Sequence, residues 1–334
     1  MPHSVLQRAT DIAKIISNYR KGELGFELDA NHVQRWANQF SEDARDAVLE
    51  ETYHVLSSWY FGEAQITGFL TSIYEYLRHQ EVRFENVTFW AGQKDGKSQQ
   101  LLLQDFQALF PSCDFNIDTV QREHIIYIDD GLYTGSKLRK EIEDIIKNAS
   151  SIVKTIDVFV LIAYSNGLDY SRDFLGSRGN QEGVSVRIER YRELCNIKKT
   201  EYDHLEESYV SSLGVLWPSR SLSSEPSVKM FDDYISKSGA FRLKYKTHSS
   251  YSSQIFNTLK GEEIVEKEFL LRGLNILSNS SFDKGIYPLG YDINKSFGFG
   301  SFCATKYNIS NTCPIVLWWD ADSSWYPLLP RRIQ

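Results

Sequence analysis

The chain has 334 residues, a length that exceeds one average domain and predicts about two. Hydrophobic residues make up 42% of it and charged residues 24%, which is typical of a packed globular protein and argues against disorder. The net charge of −7 argues against a broad nucleic-acid-binding surface, because such a surface needs a basic face. A small basic pocket is still compatible with this charge.

Membrane, secreted and metal-binding classes are disfavoured by the pattern of residues. The N-terminus lacks the apolar segment of a signal peptide, and the longest apolar stretch, at 158–164, is too short to span a bilayer. We therefore expect a cytoplasmic protein with no membrane partner. The four cysteines form no CxxC pair and the seven histidines form no HxH or HxxxH pattern, so we predict no structural metal site.

Helices are predicted over roughly the first 80 residues. Apolar side chains recur at helical spacing over 33–40. A helix is predicted to begin at Ser41, because a serine is a good N-cap and acids follow in the first turn. Another helix is predicted over 63–77.

Strands and helices alternate from Phe84 onwards. Short β-branched, aromatic or apolar runs predict strands at 85–90, 124–130, 156–165 and 184–191. Helical periodicity covers 99–110 and 137–149. Alternation of this kind implies a parallel sheet with crossover helices, and the fold class that we predict is α/β.

The last third of the chain is less regular. Ser and Pro make 211–227 a predicted loop, 251–279 has helical periodicity, and the tail mixes glycines with aromatics before an apolar run, PIVLWW (314–319), that predicts a strand. The glycines of this tail suit either a mobile ligand lid or tight turns in an aromatic packing unit. We divide the chain into an N-terminal helical region (1–80), an α/β core (81–205) and a C-terminal extension packed on the core (206–334).

One segment, IIYIDDGLYTGSKL (125–138), has the pattern of an anion site beside a sugar site. The helix that starts after the turn has backbone N–H groups without intrahelical partners, and with the helix dipole these favour a phosphate. Gly135 lets the backbone turn tightly. Asp129 and Asp130, at the carboxyl end of a strand where ligands bind in open α/β sheets, can accept hydrogen bonds from two ribose hydroxyls.

This segment resembles the phosphoribosyl-pyrophosphate (PRPP) loop of type I phosphoribosyltransferases, where two acids and two spacers precede Thr-Thr-Gly, a spacer and Thr. The acids at 129–130 match it, as do Thr134 and Gly135. Tyr133 replaces the first Thr and Lys137 the last, with Ser136 one place early. The resemblance implies catalytic roles for the two acids and phosphate binding by 133–137, where Lys137 could supply an ammonium.

A second loop, AGQKDGKS (91–98), precedes a helix and resembles the pyrophosphate loop of the ComF-like branch of these enzymes. The resemblance implies that its lysines face the leaving pyrophosphate while its small residues allow close approach of the backbone. The residues concerned are Lys94 and Lys97, and Gly92, Gly96 and Ser98.

The wider chain resembles the phosphoribosyltransferase-like family of bacterial conflict systems (PRTase-CE). The likeness also lies in RWANQF (35–40), GVLWPS (214–219), PLGYDINKSFGFGS (288–301), NISNTCP (308–314) and LWW (317–319). It implies a type I phosphoribosyltransferase-like sheet flanked by helices and a defence effector or accessory enzyme. The expected ligand is PRPP or a 5-phosphoribosyl nucleotide with Mg²⁺ held through the substrate, and the expected partners are proteins of a defence operon. The acceptor is not implied.

Several other interpretations remain open. AGQKDGKS also fits a P-loop with Ala91 in place of the first glycine, and IIYIDD (125–130) then fits a Walker B strand of an NTPase. A non-catalytic nucleotide sensor on the same fold is a third reading, since Tyr133 and Lys137 depart from the enzyme pattern. The acids could also mark only a solvated strand end and a helix cap. A receiver-like domain would need a phosphoacceptor Asp that the sequence does not place.

Overall fold

The structure is a computed structural model that describes residues 5–92, 97–111, 116–117, 122–149, 151–198, 209–213, 215–237, 245, 255–279, 285–292, 296–320 and 324–331. Its α-helices are α1 (Val5–Ile16), α2 (Ala30–Ala37), α3 (Arg45–Trp59), α4 (Glu63–His79), α5 (Ser98–Leu109), α6 (Ser136–Ala149), α7 (Ser165–Glu182), α8 (Pro226–Lys237) and α9 (Leu259–Ser278). Its strands are β1 (Tyr60–Phe61), β2 (Val87–Trp90), β3 (Asn116–Ile117), β4 (His124–Leu132), β5 (Thr155–Tyr164), β6 (Ser185–Lys198), β7 (Tyr209–Leu213), β8 (Ile286–Tyr287), β9 (Gly290–Tyr291) and β10 (Ala304–Thr305). Short 3₁₀ helices cover Phe84–Asn86, Arg220–Ser224 and Ile315–Leu317.

The chain forms two compact units. One consists of Met1–Gly62 together with Asn196–Gln334, and the other of Glu63–Cys195. The three-part division drawn from the sequence stays a prediction. None of the helices that the structure describes is long and apolar enough to cross a membrane.

The Glu63–Cys195 unit is built on a parallel sheet. Its strands lie in the order β3-β2-β4-β5-β6, and each neighbouring pair is parallel. The predicted α/β class, a parallel sheet flanked by helices like that of type I phosphoribosyltransferases, is therefore confirmed. Because β4 and β5 are central in this order, their side chains are apolar on both faces, as expected of a sheet covered on both sides.

Helices cover both faces of this sheet. On one face the alternate residues of β4 and β5 form a buried core with apolar residues of α6 and α7, including Ile142 and Leu175. On the other face α5 contributes Phe106 against Phe89, and α4 contributes Tyr76 against Phe159. Asp129 and Asp130 are adjacent near the end of β4. Since successive residues of a strand point to opposite faces, their side chains are directed towards helices on different faces of the sheet.

Many element boundaries in the first two thirds of the chain follow the sequence pattern, and others differ. The strand predicted at 184–191 continues to Lys198 as β6, and α7 was not predicted. The helix predicted over 63–77 is present as α4, and the predicted strands at 124–130 and 156–165 are β4 and β5. β4 continues past its acids to Leu132, because Gly131 and Leu132 stay in register with β5. The helix predicted to begin at Ser41 begins at Arg45 instead, so that prediction was wrong.

Ser41 does not cap α3 because another carboxylate holds it. Its hydroxyl donates to Glu268 Oε1 at 2.7 Å and its backbone N–H donates to Oε2 at 3.1 Å. Both belong to the same unit, in which Glu268 lies on α9. This contact is long-range in the sequence, and no local pattern indicates it.

The tail is part of the core of its unit, together with the N-terminal helices. The indole N–H groups of Trp36 and Trp325 both donate to the carbonyl oxygen of Val316, each at 2.8 Å. The run 314–319 was predicted to be a strand, and this was wrong, because Ile315–Leu317 forms a 3₁₀ helix. The Leu317 N–H bonds the Pro314 carbonyl, which closes a helical turn directly after the proline.

The glycines of the tail allow close contacts between backbones. Gly298 and Gly300 have φ values of +124° and +72°, and a side chain at either would collide with backbone atoms. Gly300 receives the Leu216 N–H at 2.6 Å on its carbonyl, and Val215 forms a bridge with Ser301. Two of the segments that carry the family resemblance, GVLWPS and PLGYDINKSFGFGS, are thus paired with each other through their main chains.

Candidate functional site

The two candidate loops follow neighbouring parallel strands. The 91–98 loop follows β2, the turn Tyr133–Gly135 follows β4, and β2 pairs with β4 from Val87↔His124 to Trp90↔Tyr127. Carboxyl ends of parallel strands lie at one edge of a sheet, so Ala91 and Gly92, which directly follow β2, are at the same edge as the turn after β4. The sheet therefore provides the common support that a site built from both loops requires.

The beginnings of the two helices approach each other at the acids of β4. Ser98, the first residue of α5, lies near enough to the Asp130 carboxyl for its hydroxyl to act on the pKa of that group. Burial and the negative charge of Asp129 raise the pKa of Asp130 to about 7, and the nearby Ser98 hydroxyl opposes this shift. Asp130 is partly exposed as a residue, while the burial of its carboxyl makes it hold its proton unusually firmly for an aspartate.

Asp129 is more deeply buried than its neighbour and has several partners. Its Oδ2 lies 3.0 Å from Lys137 Nζ and 3.2 Å from the Tyr127 hydroxyl, and its Oδ1 accepts the Asp130 N–H at 3.0 Å. Only 6% of the residue is exposed. A buried carboxylate needs such partners to compensate for lost hydration. Asp129 and Asp130 therefore have different surroundings, one facing α6 and the other facing α5.

The charge of Lys137 is matched to the acids around it. Burial acts to lower the pKa of Lys137, but the carboxylates of Asp129 and Glu141 outweigh it, so that the pKa is raised. The side chain is still 48% exposed. The ammonium therefore remains charged and in contact with solvent while it is paired with Asp129.

Glu141 completes the network on α6. Its Oε2 accepts a hydrogen bond from the Tyr127 hydroxyl at 2.7 Å. Burial, together with the negative charges of Asp129 and Glu141, raises the pKa of the Tyr127 hydroxyl well above its ordinary value. Tyr127 is fully buried, and its hydroxyl thus stays protonated between two carboxylates.

The turn after β4 is tightly packed against α7. Gly135 has φ +70°, the left-handed region, and a side chain there would collide with the Ser171 hydroxyl. Arg139 NH1 donates to the Thr134 carbonyl at 2.9 Å and to Ser171 Oγ at 3.1 Å, while NH2 lies 3.3 Å from Ser136 Oγ. The Arg139 guanidinium thus fixes the conformation of the turn from the side of the helix.

The comparison with known proteins identifies the family of the chain. The PRTase-CE family model matches residues 33–331, nearly the whole chain. The chain belongs to the PRTase-CE family. Membership of this family indicates a phosphoribosyltransferase-like function. A search of the curated proteins found no match.

The structure of this PRTase-CE chain brings together most of the site residues predicted from the sequence. Asp129, Asp130, Lys137 and Ser98 lie in one connected group, and Tyr133–Gly135 forms the turn beside it. Ser136 is the first residue of α6, and Lys97 is the N-cap residue of α5. Gly92 lies where a Cβ would be 2.7 Å from Glu141 Oε2. Lys94 and Gly96 lie outside the described residues.

Three residues that contribute to this PRTase-CE site were missed in the sequence. Tyr127 lay within the strand predicted at 124–130, and Arg139 and Glu141 lay within the helix predicted at 137–149, but no role in the site was assigned to them. The one available signal was spacing, because Lys137 and Glu141 are four residues apart and so share a helix face. Among the described residues, no group of three or more His, Cys, Asp or Glu side chains is arranged to hold a metal ion.

Proposed function

We propose that this chain binds PRPP or a 5-phosphoribosyl nucleotide at the edge of the sheet formed by the 91–98 loop and residues 129–137, and transfers the phosphoribosyl group. The closeness of Ser98 to the Asp130 carboxyl, together with the parallel pairing of β2 and β4, carries the proposal, because it brings the start of α5 next to the acids of β4. A type I transferase needs these two loops side by side, one for the leaving pyrophosphate and one for the ribose 5-phosphate. Family membership supports the same assignment.

The ribose is assigned to the acids. Asp130 is the more accessible, and its ionised carboxylate can accept hydrogen bonds from ribose hydroxyls. Asp129 adds a fixed negative charge next to it. As the bond from C1 to pyrophosphate breaks, the sugar becomes positively charged, and negative charges held beneath it stabilise that state. The sequence does not identify the acceptor that then bonds to C1.

The 5-phosphate is assigned to the turn at the start of α6. The Thr134 and Ser136 hydroxyls lie 3.3 Å apart there, and Gly135 gives the backbone its tight turn. The start of a 14-residue helix adds a favourable dipole. Binding energy gained at the phosphate, away from C1, orients the reacting carbon.

Magnesium is assigned to the substrate. As the resemblance to type I phosphoribosyltransferases implies, the cation would be held through the pyrophosphate of the substrate and not directly by the protein. Bound in this way it supplies charge neutralisation on the leaving group. We assign Lys97, the N-cap residue of α5, to the same group.

In the cell we assign the chain to antiviral defence, as an effector or accessory enzyme of a bacterial conflict system that acts with proteins of its operon. This rests on the family alone. Protection against phage by the intact operon, compared with an operon in which Asp130 is changed to Asn, tests it. Equal protection in the two strains would contradict a role for this site in defence.

The ligand is tested by calorimetric titration with Mg-PRPP, Mg-ATP and ribose 5-phosphate side by side. We expect Mg-PRPP to bind more tightly than Mg-ATP, and D130N and S98A to weaken it. E143Q is the matched control, because Glu143 lies on α6 but pairs with Lys147 at 2.9 Å. Tight binding of Mg-ATP without a PRPP signal would favour a P-loop NTPase instead.

A second candidate is a nucleotide sensor that binds without turnover. It is favoured by Lys137, which stands where the enzyme pattern has Thr and is paired with Asp129 at 3.0 Å. Release of pyrophosphate from bound Mg-PRPP, measured with candidate bases as acceptors, separates the two. Binding without release for every acceptor would favour the sensor.

A further inference from the structure

Glu141 connects the acids of β4 to the beginning of the 91–98 loop. We propose that Glu141 is a positioning residue for the phosphoribosyl site, orienting Asp129 through the Tyr127 hydroxyl and limiting residue 92 to glycine. The inference rests on the function proposed above and extends it to a residue that does not itself contact the ligand. Four observations support it.

The first observation is the position of the Tyr127 hydroxyl. It lies 2.7 Å from Glu141 Oε2 and 3.2 Å from Asp129 Oδ2. A phenol has one proton to donate, so two carboxylates compete for it. The shorter bond to Glu141 sets the direction of the hydroxyl, and hence how strongly it holds Asp129.

The second observation is the burial of these groups. Tyr127 is completely buried, and Asp129 is 6% exposed. Water therefore has little access with which to replace a lost hydrogen bond, and the Asp129 carboxylate depends on Tyr127, Lys137 and the Asp130 N–H. Removal of one of these partners lets the carboxylate rotate about its own bond.

The third observation is the closeness of Gly92. A Cβ at this position would lie 2.7 Å from Glu141 Oε2 and 2.9 Å from its carboxyl carbon. The Glu141 side chain can move, so an alanine at 92 would push its carboxylate away rather than prevent folding. Substitution of Gly92 should thereby disturb the same contact with Tyr127 as substitution of Glu141.

The fourth observation is the balance of charge. Lys137 lies one turn before Glu141 on α6, and the carboxylates of Asp129, Glu141 and Asp130 all raise its pKa. A single ammonium group thus interacts with three carboxylates. Loss of the Glu141 charge changes how firmly Lys137 is held at Asp129. This effect can be measured without any ligand.

The test measures the affinity of the full chain for Mg-PRPP by calorimetry in E141A, E141Q, Y127F and the double variant Y127F/E141A. We expect E141A and Y127F each to weaken binding by about tenfold, the size of one hydrogen bond to a charged group. E141A lets the phenol proton turn wholly to Asp129 and Y127F removes it, so that either change alters the orientation of the Asp129 carboxylate. The double variant should be no weaker than the worse single variant, since both break one connection. E141Q, whose amide oxygen can still accept the phenol proton, should recover most of the affinity.

Two further variants sharpen the result. G92A should weaken binding as E141A does, and G92A/E141A should be no weaker than E141A alone. E143A is the control on the same helix and should bind like the wild type. Thermal unfolding of every variant shows whether the fold is intact, and Y127F provides the test if E141A fails to fold.

A measurement without ligand completes the test. The rate at which acetic anhydride modifies Lys137, followed against pH by mass spectrometry, should show a lower Lys137 pKa in E141A and no change in E143A. If the wild type binds Mg-PRPP and E141A binds it equally well, this inference alone is overturned. The same holds if the losses of affinity in Y127F and E141A multiply in the double variant. A wild type that binds no phosphoribosyl ligand overturns the proposed function and the inference with it.

Discussion

The backbone of Gly167 lies against the carbonyl oxygen of Tyr133 so closely that a Cβ at Gly167 would overlap that oxygen. Gly167 is in the first turn of α7, and Tyr133 begins the turn after β4. Helix α7 thus packs directly against the turn that we assign to the 5-phosphate. Ser171, one turn further along α7, packs against Gly135 in the same way.

The first prediction concerns this contact. G167A should displace the turn and weaken Mg-PRPP binding, because the added methyl meets backbone rather than a flexible side chain. G176A is the matched control on the same helix, since nothing lies within 4 Å of its Cβ. It should stabilise the protein by about 0.5–1 kcal/mol through helix propensity.

Calorimetry and thermal unfolding of the two alanine variants check this. A loss of Mg-PRPP affinity in G167A but not in G176A would show that the contact with Tyr133, and not the loss of a glycine as such, is responsible. Equal affinity in G167A and G176A would mean that the turn does not depend on α7.

The sequence predicted this site only in part, for physical reasons. Asp129 and Asp130 became candidates because a strand end followed by a glycine turn has a local signature, and Ser98 became one through its own loop. Their roles stay predictions. Tyr127 did not become a candidate, because a tyrosine in an apolar strand has the same sequence pattern whether its hydroxyl is used or not.

The errors in the predicted fold also come from contacts that the local sequence does not show. Ser41 has the local chemistry of an N-cap, but Glu268 holds it from more than two hundred residues away. PIVLWW has strand propensity, yet Pro314 and the carbonyl of Val316, which receives two indole N–H groups, hold it in a 3₁₀ helix. Tertiary hydrogen bonds overrode local preference in both places.

The second prediction concerns ligand binding by the acids. Changing Asp130 to Asn keeps the shape of the side chain but removes its charge, and the double variant D129N/D130N removes both charges. We expect D130N to weaken Mg-PRPP binding by about 1.5–3 kcal/mol, the range for charge-assisted hydrogen bonds. The double variant should abolish detectable turnover. Titration and pyrophosphate release measure the two effects, and full activity in D129N/D130N would exclude a phosphoribosyl site here.

The third prediction is that D130N stabilises the protein at alkaline pH. Burial and Asp129 raise the Asp130 pKa from 3.8 to about 7. A carboxyl with a raised pKa contributes stability below its unfolded value, near pH 4, and this contribution is lost as the pH rises through about 7. The melting temperature of D130N should therefore exceed that of the wild type by a small amount near pH 4.5 and by a larger amount at pH 8.

Thermal unfolding of both proteins between pH 4.5 and pH 8 measures this difference. E143Q, the control on α6, should show no such pH-dependent gain. A melting temperature of D130N below that of the wild type at pH 8 would mean that the ionised carboxylate stabilises the fold, contrary to its surroundings in the structure.

The fourth prediction concerns the tail. Deletion from Tyr287 onwards should prevent cooperative folding, since it removes the Val316 carbonyl that Trp36 bonds. In the full chain W36A should cost about 3–5 kcal/mol, a large part of the 5–15 kcal/mol of a typical domain. L259A, at a residue that is 68% exposed, is the control and should change little. A truncated chain that is soluble and unfolds cooperatively would show that the tail is a lid.

The pairing of GVLWPS with PLGYDINKSFGFGS also affects how relatives of this protein should be chosen for experiments. These segments meet through main-chain hydrogen bonds and buried glycines, so they are markers of architecture. A homologue that retains them but has lost the acid at 130 or the serine at 98 would fold alike and have different chemistry. Such natural variants could serve as ready-made inactive counterparts, and genome surveys that score only the tail would count them among the active proteins.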